Sequence, residues 1–190
     1  FLMSSLFSVV WPYLLRTVWK FSSNQFGSFQ VFGTLGALFG NIAIMFFLHK
    51  FSSKLLISSG LLIQQTTTLI FSFMIMPFFG FNNPQLYIIN SIGVFIFSFF
   101  NVLVNIPINA NLQLLVPSEL RSRVFSVLSF LATGSVPISS MLYGYLIDRI
   151  SPFWLFLGVN IISTVVVVIF LLTAPKEAYE PVPHDSTAVV

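Results

Sequence analysis

The chain has 190 residues, of which 56% are hydrophobic and 7% are charged, and its formal net charge at pH 7 is +3. An average soluble domain carries about 25% charged residues, so this composition excludes a water-soluble globular protein and predicts a chain that lies in lipid. The basic residues occupy short connections rather than one patch, which gives no support for nucleic-acid binding, and the absence of cysteine excludes disulfides and thiolate metal sites.

Long uncharged stretches divide the chain into six predicted membrane-spanning helices. A helix rises about 1.5 Å per residue and needs roughly 20 apolar residues to cross a hydrocarbon core of about 30 Å. The predicted spans are residues 1–15, 26–48, 55–79, 85–115, 124–147 and 152–173. The sequence therefore predicts an all-α, polytopic membrane protein built as a bundle of six transmembrane helices.

The ends of the predicted spans carry characteristic turn and cap residues. The first span is short and opens with Phe1, so we expect it to begin upstream of the given sequence. A Ser-Ser-Asn turn at residues 22–24 offers an N-cap to the second span, and Pro152 opens the sixth where its missing N–H is not needed. The fourth span is long for one crossing, so we expect a kink at Pro107 or a helix that extends past the membrane.

Residues 174–190 differ in composition from the rest of the chain. They hold three prolines, at positions 175, 181 and 183, and most of the acidic residues. A segment of this composition cannot bury enough apolar surface to fold by itself. We therefore expect a disordered cytoplasmic tail.

Aromatic and basic residues predict which helix ends share a side of the membrane. If six helices alternate in direction, every Trp and every Tyr except Tyr179 lies towards one face, where amphipathic rings anchor at headgroups. The basic residues favour the other face, by five to three. The five are Lys50, Lys54, Arg121, Arg123 and Lys176, and the three are Arg16, Lys20 and Arg149. The positive-inside rule therefore places both ends of the six-span unit in the cytoplasm.

A row of amides follows one face of the fourth span. Asn90, Phe97, Asn101 and Asn105 recur at helical spacing, whereas every Asp, Glu, Lys and Arg falls in a connection or in the tail. Amides cannot face lipid without leaving donors unsatisfied. From the residues alone two interpretations stay open: hydrogen bonds to neighbouring helices, or the wall of a polar cavity for a solute.

Small residues predict where one helix approaches another. Gly36 and Gly40 form a small-xxx-small face on the second span, and Gly33 precedes them by one turn. This pattern predicts tight helix packing and is compatible with any function. Pro107 and Pro137 are either hinges or ordinary prolines of membrane helices.

Two short connections carry more specific patterns. The turn HKFSSK at residues 49–54 is basic, and PSELRSRV at residues 117–124 joins the fourth and fifth spans, with Gly134, Pro137 and Gly144 following on the fifth. Together with the six-span layout, these residues resemble the C-terminal half of a major facilitator superfamily transporter of the drug- or macrolide-efflux type. In this resemblance Gly134 and Gly144 are helix-packing residues.

The resemblance implies a fold, a partner and a site. The spans would be helices seven to twelve of a twelve-helix protein, and their partner would be a missing N-terminal six-helix half. Within the present half, the resemblance implies inverted three-helix repeats at about residues 1–79 and 85–173. The halves would rock about a midplane site and export a small hydrophobic or amphipathic solute across the plasma membrane, as in antibiotic resistance. The implied cavity residues are Asn90, Phe97, Asn101, Asn105, Ser4, Ser8 and Trp11. The implied cytoplasmic gating residues are Lys50, Lys54, Glu119, Arg121 and Arg123.

Two other functions are compatible with six membrane helices. The membrane part of an ATP-driven exporter has helices that run far beyond the bilayer, whereas the connections here are short. A membrane-embedded enzyme needs a catalytic or metal-binding constellation, and His49 and His184 have no partners at such spacing. We therefore expect a transporter rather than an enzyme, without cofactor or metal, whose partners are the lipid bilayer and a small-molecule solute.

Overall fold

The computed structural model describes residues 6–75 and 82–175 together with Tyr179, and these residues form a bundle of six helices. Numbered along the chain, they are α1 (Leu6–Val18), α2 (Ser23–Phe46), α3 (Ser53–Met74), α4 (Asn83–Leu115), α5 (Ser118–Ile147) and α6 (Pro152–Thr173). A 3₁₀ turn at Leu48–Lys50 joins α2 to α3. All of these helices except α1 are long and apolar enough to cross a membrane, which confirms the predicted all-α polytopic bundle.

Side-chain caps explain where α2 and α3 begin. Ser22 Oγ accepts a hydrogen bond from the Gln25 N–H at 3.3 Å, and Gln25 Oε1 accepts one from the Ser22 N–H at 2.9 Å. Ser52 Oγ likewise accepts from the Leu55 N–H at 3.3 Å. These bonds satisfy backbone donors that the first turn of a helix leaves free, so the serines mark the edges of the apolar segments.

α4 and α5 are longer than the roughly 20 residues that one membrane crossing needs. α5 begins at Ser118 rather than at residue 124, because the N–H groups of Leu120 and Arg121 bond the Pro117 carbonyl at 3.1 and 3.0 Å and start a turn outside the apolar segment. α4 runs unbroken through Pro107. Its 33 residues correspond to about 50 Å of helix, so α4 extends past a hydrocarbon core of about 30 Å.

α1 departs from regular α-helical geometry. It continues to Val18, past the predicted end at residue 15, and its stretches Leu6–Val10 and Leu14–Val18 are π-helical. Pro12 lies between the two stretches and lacks the N–H that a helix interior requires. Wider turns on either side accommodate the proline, and such π-helical turns are frequent at functional sites. Ser4, which belongs to the predicted first span, lies outside the described residues.

α4 is the central helix of the bundle. It packs along both α2 and α3, and α6 packs against α3. α1 supplies the aromatic core, in which its Trp11 contacts Phe71 of α3 and Phe156 of α6. α5 contacts mainly the first π-helical stretch of α1 and leaves most of its surface uncovered.

The bundle has two chemically different ends. The aromatic end is defined by Trp19, Tyr87, Tyr145 and Trp154. There Ser28 Oγ and Tyr87 Oη are 2.7 Å apart, which ties the start of α2 to the start of α4. The basic end is defined by Lys50, Lys54, Arg121 and Arg123, all of which are exposed.

Glycines bring α2 against the backbone of α4. A Cβ added at Gly36 would overlap the carbonyl oxygen of Phe95, and one added at Gly40 would lie 2.8 Å from the carbonyl oxygen of Phe99. Gly33 differs, because a Cβ there would meet only the side chains of Ser98 and Val94 at 3.4 Å. The small-xxx-small face at Gly36 and Gly40 therefore lies at a close helix contact, and Gly33 lies at its edge.

The two glycines of α5 lie elsewhere. The resemblance implied packing roles for Gly134 and Gly144, but a Cβ added at either one would have no described atom of another residue within 4 Å. The physical reason is the position of α5, which touches its neighbours near α1 and leaves the glycines on open surface. Within the described part of the chain these glycines do not pack against a helix.

A polar seam joins α3 to α6. Asn160 is fully buried, and its Nδ2 donates to Ser72 Oγ at 2.8 Å and to the Thr68 carbonyl at 3.3 Å. One turn away Gln65 Nε2 donates to Ser163 Oγ at 2.7 Å. These bonds cross between two helices inside hydrocarbon, where no water competes for the donors.

The structure differs from the predicted tail at one residue. Tyr179 is only 4% exposed, and its carbonyl oxygen accepts a hydrogen bond from Asn111 Nδ2 at 3.0 Å. Ala174 and Pro175 follow α6 without regular structure, and the remainder of the predicted tail, His184 included, lies outside the described residues. The tail segment therefore has at least one docked side chain.

We predict that Gly36→Ala destabilises the protein and that Gly27→Ala does not. Both changes replace glycine in α2 and gain the same helix propensity, about 1 kcal/mol, but only the Gly36 methyl collides with backbone of α4. Overpacking of this kind costs roughly 1–3 kcal/mol. Thermal unfolding of the purified variants in detergent measures the difference, and equal melting temperatures would contradict the close contact.

We also predict that Asn160→Leu lowers stability by roughly 0.6 to 1.7 kcal/mol, the range measured for hydrogen bonds between membrane helices. Asn41→Leu is the matched control, because Asn41 is exposed on α2 and donates only to the Ala37 carbonyl of its own helix, at 2.8 Å. The same detergent unfolding assay applies. A stability loss in the Asn41 variant as large as that in the Asn160 variant would show that the α3–α6 bonds are not the cause.

Candidate substrate cavity

A cavity of about 440 Å³ lies between α1, α2 and α4, and Phe71 of α3 also lines it. The lining residues are Phe7, Trp11, Phe29, Gln30, Gly33, Thr34, Ala37, Phe71, Val94, Phe97 and Ser98. The lining residues of α2 recur every three or four positions and therefore share one face of that helix. The lining residues of α4 likewise share one face. The cavity exists because α2 presents small residues, Gly33 and Ala37, where α1 presents large rings.

Five aromatic rings line the cavity. The ring centroids of Phe7 and Phe97 are 5.1 Å apart, and those of Trp11 and Phe71 are 4.7 Å apart. Trp11 also contacts Trp19 in a T-shaped arrangement at 5.9 Å, which continues the wall into the aromatic end of the bundle. Tilted and edge-on pairs at these distances are favourable, so the rings hold one another in place.

Three neutral polar side chains complete the wall: Gln30, Thr34 and Ser98. Thr34 Oγ1 donates to the Gln30 carbonyl at 2.9 Å, which leaves its lone pairs available as acceptors. None of the described side chains that line the cavity is ionisable. The cavity thus offers a large aromatic surface, a few hydrogen-bonding groups and no fixed charge.

The predicted amide row occupies the same face of α4 as the cavity but extends beyond it. Asn101 Nδ2 lies 3.5 Å from Gln64 Oε1 of α3, and Asn105 Nδ2 donates to the carbonyl and the Oδ1 of Asn101 at 2.9 and 3.0 Å. Asn109 Nδ2 continues the row with a bond to the Asn105 carbonyl at 2.8 Å. The row therefore leads from Phe97 and Ser98 towards the basic end, and its last members are exposed.

Asn90 lies at the other end of the row and is fully buried. Its Nδ2 donates to the Leu86 carbonyl at 2.7 Å, and its buried Oδ1 has no hydrogen-bond partner among the described residues. Asn90 is not among the described residues that line the cavity. Of the residues implied for the cavity, the structure brings Trp11 and Phe97 into the wall, whereas Ser8 is exposed on α1.

Sequence reasoning missed most of α2 as a cavity helix. Gln30, Gly33, Thr34 and Ala37 recur at intervals of three, one and three residues, so small and polar residues share one face of a membrane helix. Gly33 was predicted only as a packing residue. The spacing of these small and polar residues could have predicted a cavity face on α2. Phe7, Phe29 and Phe71 could not have been recognised as cavity residues, because 24 phenylalanines are spread over the whole chain.

The residues implied for cytoplasmic gating are all at the basic end and exposed. Lys50 ends the 3₁₀ turn and Lys54 opens α3, while Glu119, Arg121 and Arg123 lie in the first turns of α5. Arg121 Nη2 lies 3.4 Å from the Val116 carbonyl. Glu119 is placed favourably for the dipole of α5, since an acid at a helix N-terminus is stabilised.

The sequence model of the Major Facilitator Superfamily matches residues 1–189, which is nearly the whole chain. The chain belongs to the major facilitator superfamily. No curated protein and no solved structure matches it. Membership makes this major facilitator chain a multi-pass membrane protein and a secondary transporter rather than an enzyme, and it agrees with the all-helical bundle.

Proposed function

We propose that this major facilitator chain is the C-terminal six-helix half of an efflux permease for aromatic, amphipathic solutes, of the drug- or macrolide-exporting type. The observation that carries the proposal is the cavity, whose wall combines five aromatic rings with three neutral polar side chains. Sites for small molecules are mostly apolar, with a few polar groups that orient the ligand, and have volumes of about 300–1,000 Å³. The cavity of about 440 Å³ falls within that range.

The chemistry of the wall favours solutes that carry rings. A planar solute can stack on Trp11 and Phe97 and bury apolar area at roughly 25 cal/mol per Å². Gln30, Thr34 and Ser98 can then hydrogen-bond a polar substituent and set its orientation. A small, strongly hydrated anion would lose its water without gaining a partner, because no basic side chain of the described residues lines the cavity.

The uncovered surface of α5 supports a second six-helix half as partner. Phe130, Gly134, Ile138 and Met141 lie on one face of α5, and Met141 is 82% exposed. Large apolar side chains on such a face suit another helix or lipid, and small residues such as Gly134 permit a close helix approach. In this proposal the partner half closes the cavity and rocks against the present half about a midplane site, with inverted three-helix repeats at about residues 1–79 and 85–173.

The charges at the two ends support an orientation in the plasma membrane. The exposed basic end carries Lys50, Lys54, Arg121 and Arg123, and the positive-inside rule favours the cytoplasm for it. We propose that these residues and Glu119 form the connections that contact the partner half when the cytoplasmic side closes. The amide row then faces the cytoplasmic part of the solute path.

We predict that Trp11→Ala lowers efflux of a planar, neutral, lipophilic dye such as Nile red by about tenfold, because the dye loses a stacking surface worth roughly 1.4 kcal/mol or more. The measurement is dye efflux from cells that express the full-length protein, divided by its abundance in the membrane. Trp154→Ala is the matched control, because Trp154 is 63% exposed and lies outside the cavity. Equal efflux in the two variants would refute the cavity as the solute site.

We predict that the double change Asn101→Leu and Asn105→Leu lowers transport per molecule several-fold and changes abundance little. Both amides bond largely within α4, so few contacts between helices depend on them, whereas their polar groups line the proposed solute path. Asn160→Leu provides the opposite control and should lower abundance with transport per molecule retained. Loss of abundance in the double variant, with normal transport per molecule, would make the amide row a packing feature.

A further inference from the structure

The basic end of the bundle contains a socket that holds Tyr179. The Tyr179 ring lies 6.1 Å from the Phe170 ring of α6, measured between centroids, and the Nζ of Lys54 of α3 lies 5.8 Å from the Tyr179 ring centroid. Asn111 of α4 donates from Nδ2 to the Tyr179 carbonyl at 3.0 Å. Three helices thus contribute to the socket, each with a different kind of contact.

Burial shows that the contact is more than a surface encounter. Tyr179 is 4% exposed and Asn111 is 6% exposed, although both lie near the end of the bundle where helices meet solvent. Lys54 remains exposed, so its ammonium can stay hydrated while it lies over the ring. The docked tyrosine contacts Asn111, which is buried although residues 113–115 of the same helix are exposed.

The position of Asn111 gives the socket a mechanical role. Asn111 follows the buried Pro107 by one turn, and proline supplies no N–H for the hydrogen bond to the residue four positions before it. The backbone hydrogen bonding that joins the part of α4 after Pro107 to the part before it is therefore weakened. Contacts to Tyr179 are well placed to hold this last part of α4 against α3 and α6.

We propose that the ends of α3, α4 and α6 form a docking site for the chain's own C-terminal segment, through Tyr179, and that docking holds the part of α4 beyond Pro107 in place. The ring and the backbone carbonyl make the contacts. The Tyr179 hydroxyl is buried, and within the described part of the chain it has no hydrogen-bond partner, so it contributes nothing favourable there. Phenylalanine should therefore serve as well as tyrosine at this position.

Hydrogen exchange of the detergent-solubilised full chain, followed by mass spectrometry, tests the proposal. Tyr179→Ala should speed exchange of backbone amides in residues 108–115 on the order of tenfold, the factor expected when a hydrogen bond and ring contacts are lost together. Tyr179→Phe should leave their exchange unchanged. Asn111→Leu should reproduce the alanine effect, and combining it with Tyr179→Ala should add little, because both changes break one contact.

Residues 83–90 of the same helix provide the internal control, since they lie at the aromatic end. Their exchange should be equal in all variants. Faster exchange in both segments would mean general destabilisation and would overturn the proposal, as would unchanged exchange in residues 108–115 of the alanine variant. Faster exchange in Tyr179→Phe would overturn the conclusion that the ring and carbonyl make the contact. None of these outcomes depends on which solute the protein transports.

Discussion

The structure depends on one constraint, namely that hydrocarbon cannot satisfy a polar group. Each backbone N–H and C=O within a span must find its partner inside the helix, and polar side chains behave the same way. Thr66 Oγ1 donates to the Leu62 carbonyl at 2.9 Å and Asn109 Nδ2 to the Asn105 carbonyl at 2.8 Å, each one turn back along its own helix. In the part of the chain that the structure describes, bonds that cross between helices, such as those of Asn160, are few, so packing has to hold most of the bundle together.

Packing also decides where the bundle opens. At Gly36 and Gly40 the backbones of α2 and α4 meet closely, because no side chain separates them. One turn earlier, at Gly33, the helices diverge enough for a cavity that the rings of Phe7 and Trp11 only partly fill. The same helix pair therefore provides both the tightest contact and the proposed solute site. A change that moves α2 away from α4 would alter the cavity as well as stability.

α4 connects the proposed functions of the two ends. It carries Phe97 of the cavity wall, then the amide row, and near its end Asn111 of the Tyr179 socket. Pro107 lies between these features and weakens the hydrogen-bond ladder at that level. In the two proposals, solute contacts and tail docking involve the two parts of one helix.

The sequence by itself determined the class of fold and the approximate number and position of the spans, because transfer of a segment into lipid depends on its own length and apolarity. The separation of aromatic and basic ends follows from the same local energetics. The start of α5 could not be predicted this way, since its first turn is formed by backbone bonds to Pro117 outside the apolar segment. Only the tertiary structure decided which faces meet. It placed Gln30 and Thr34 in the cavity wall, left Gly134 and Gly144 uncovered and docked Tyr179. Each of these placements depends on how neighbouring helices are rotated about their axes. Residue type and spacing do not specify that rotation.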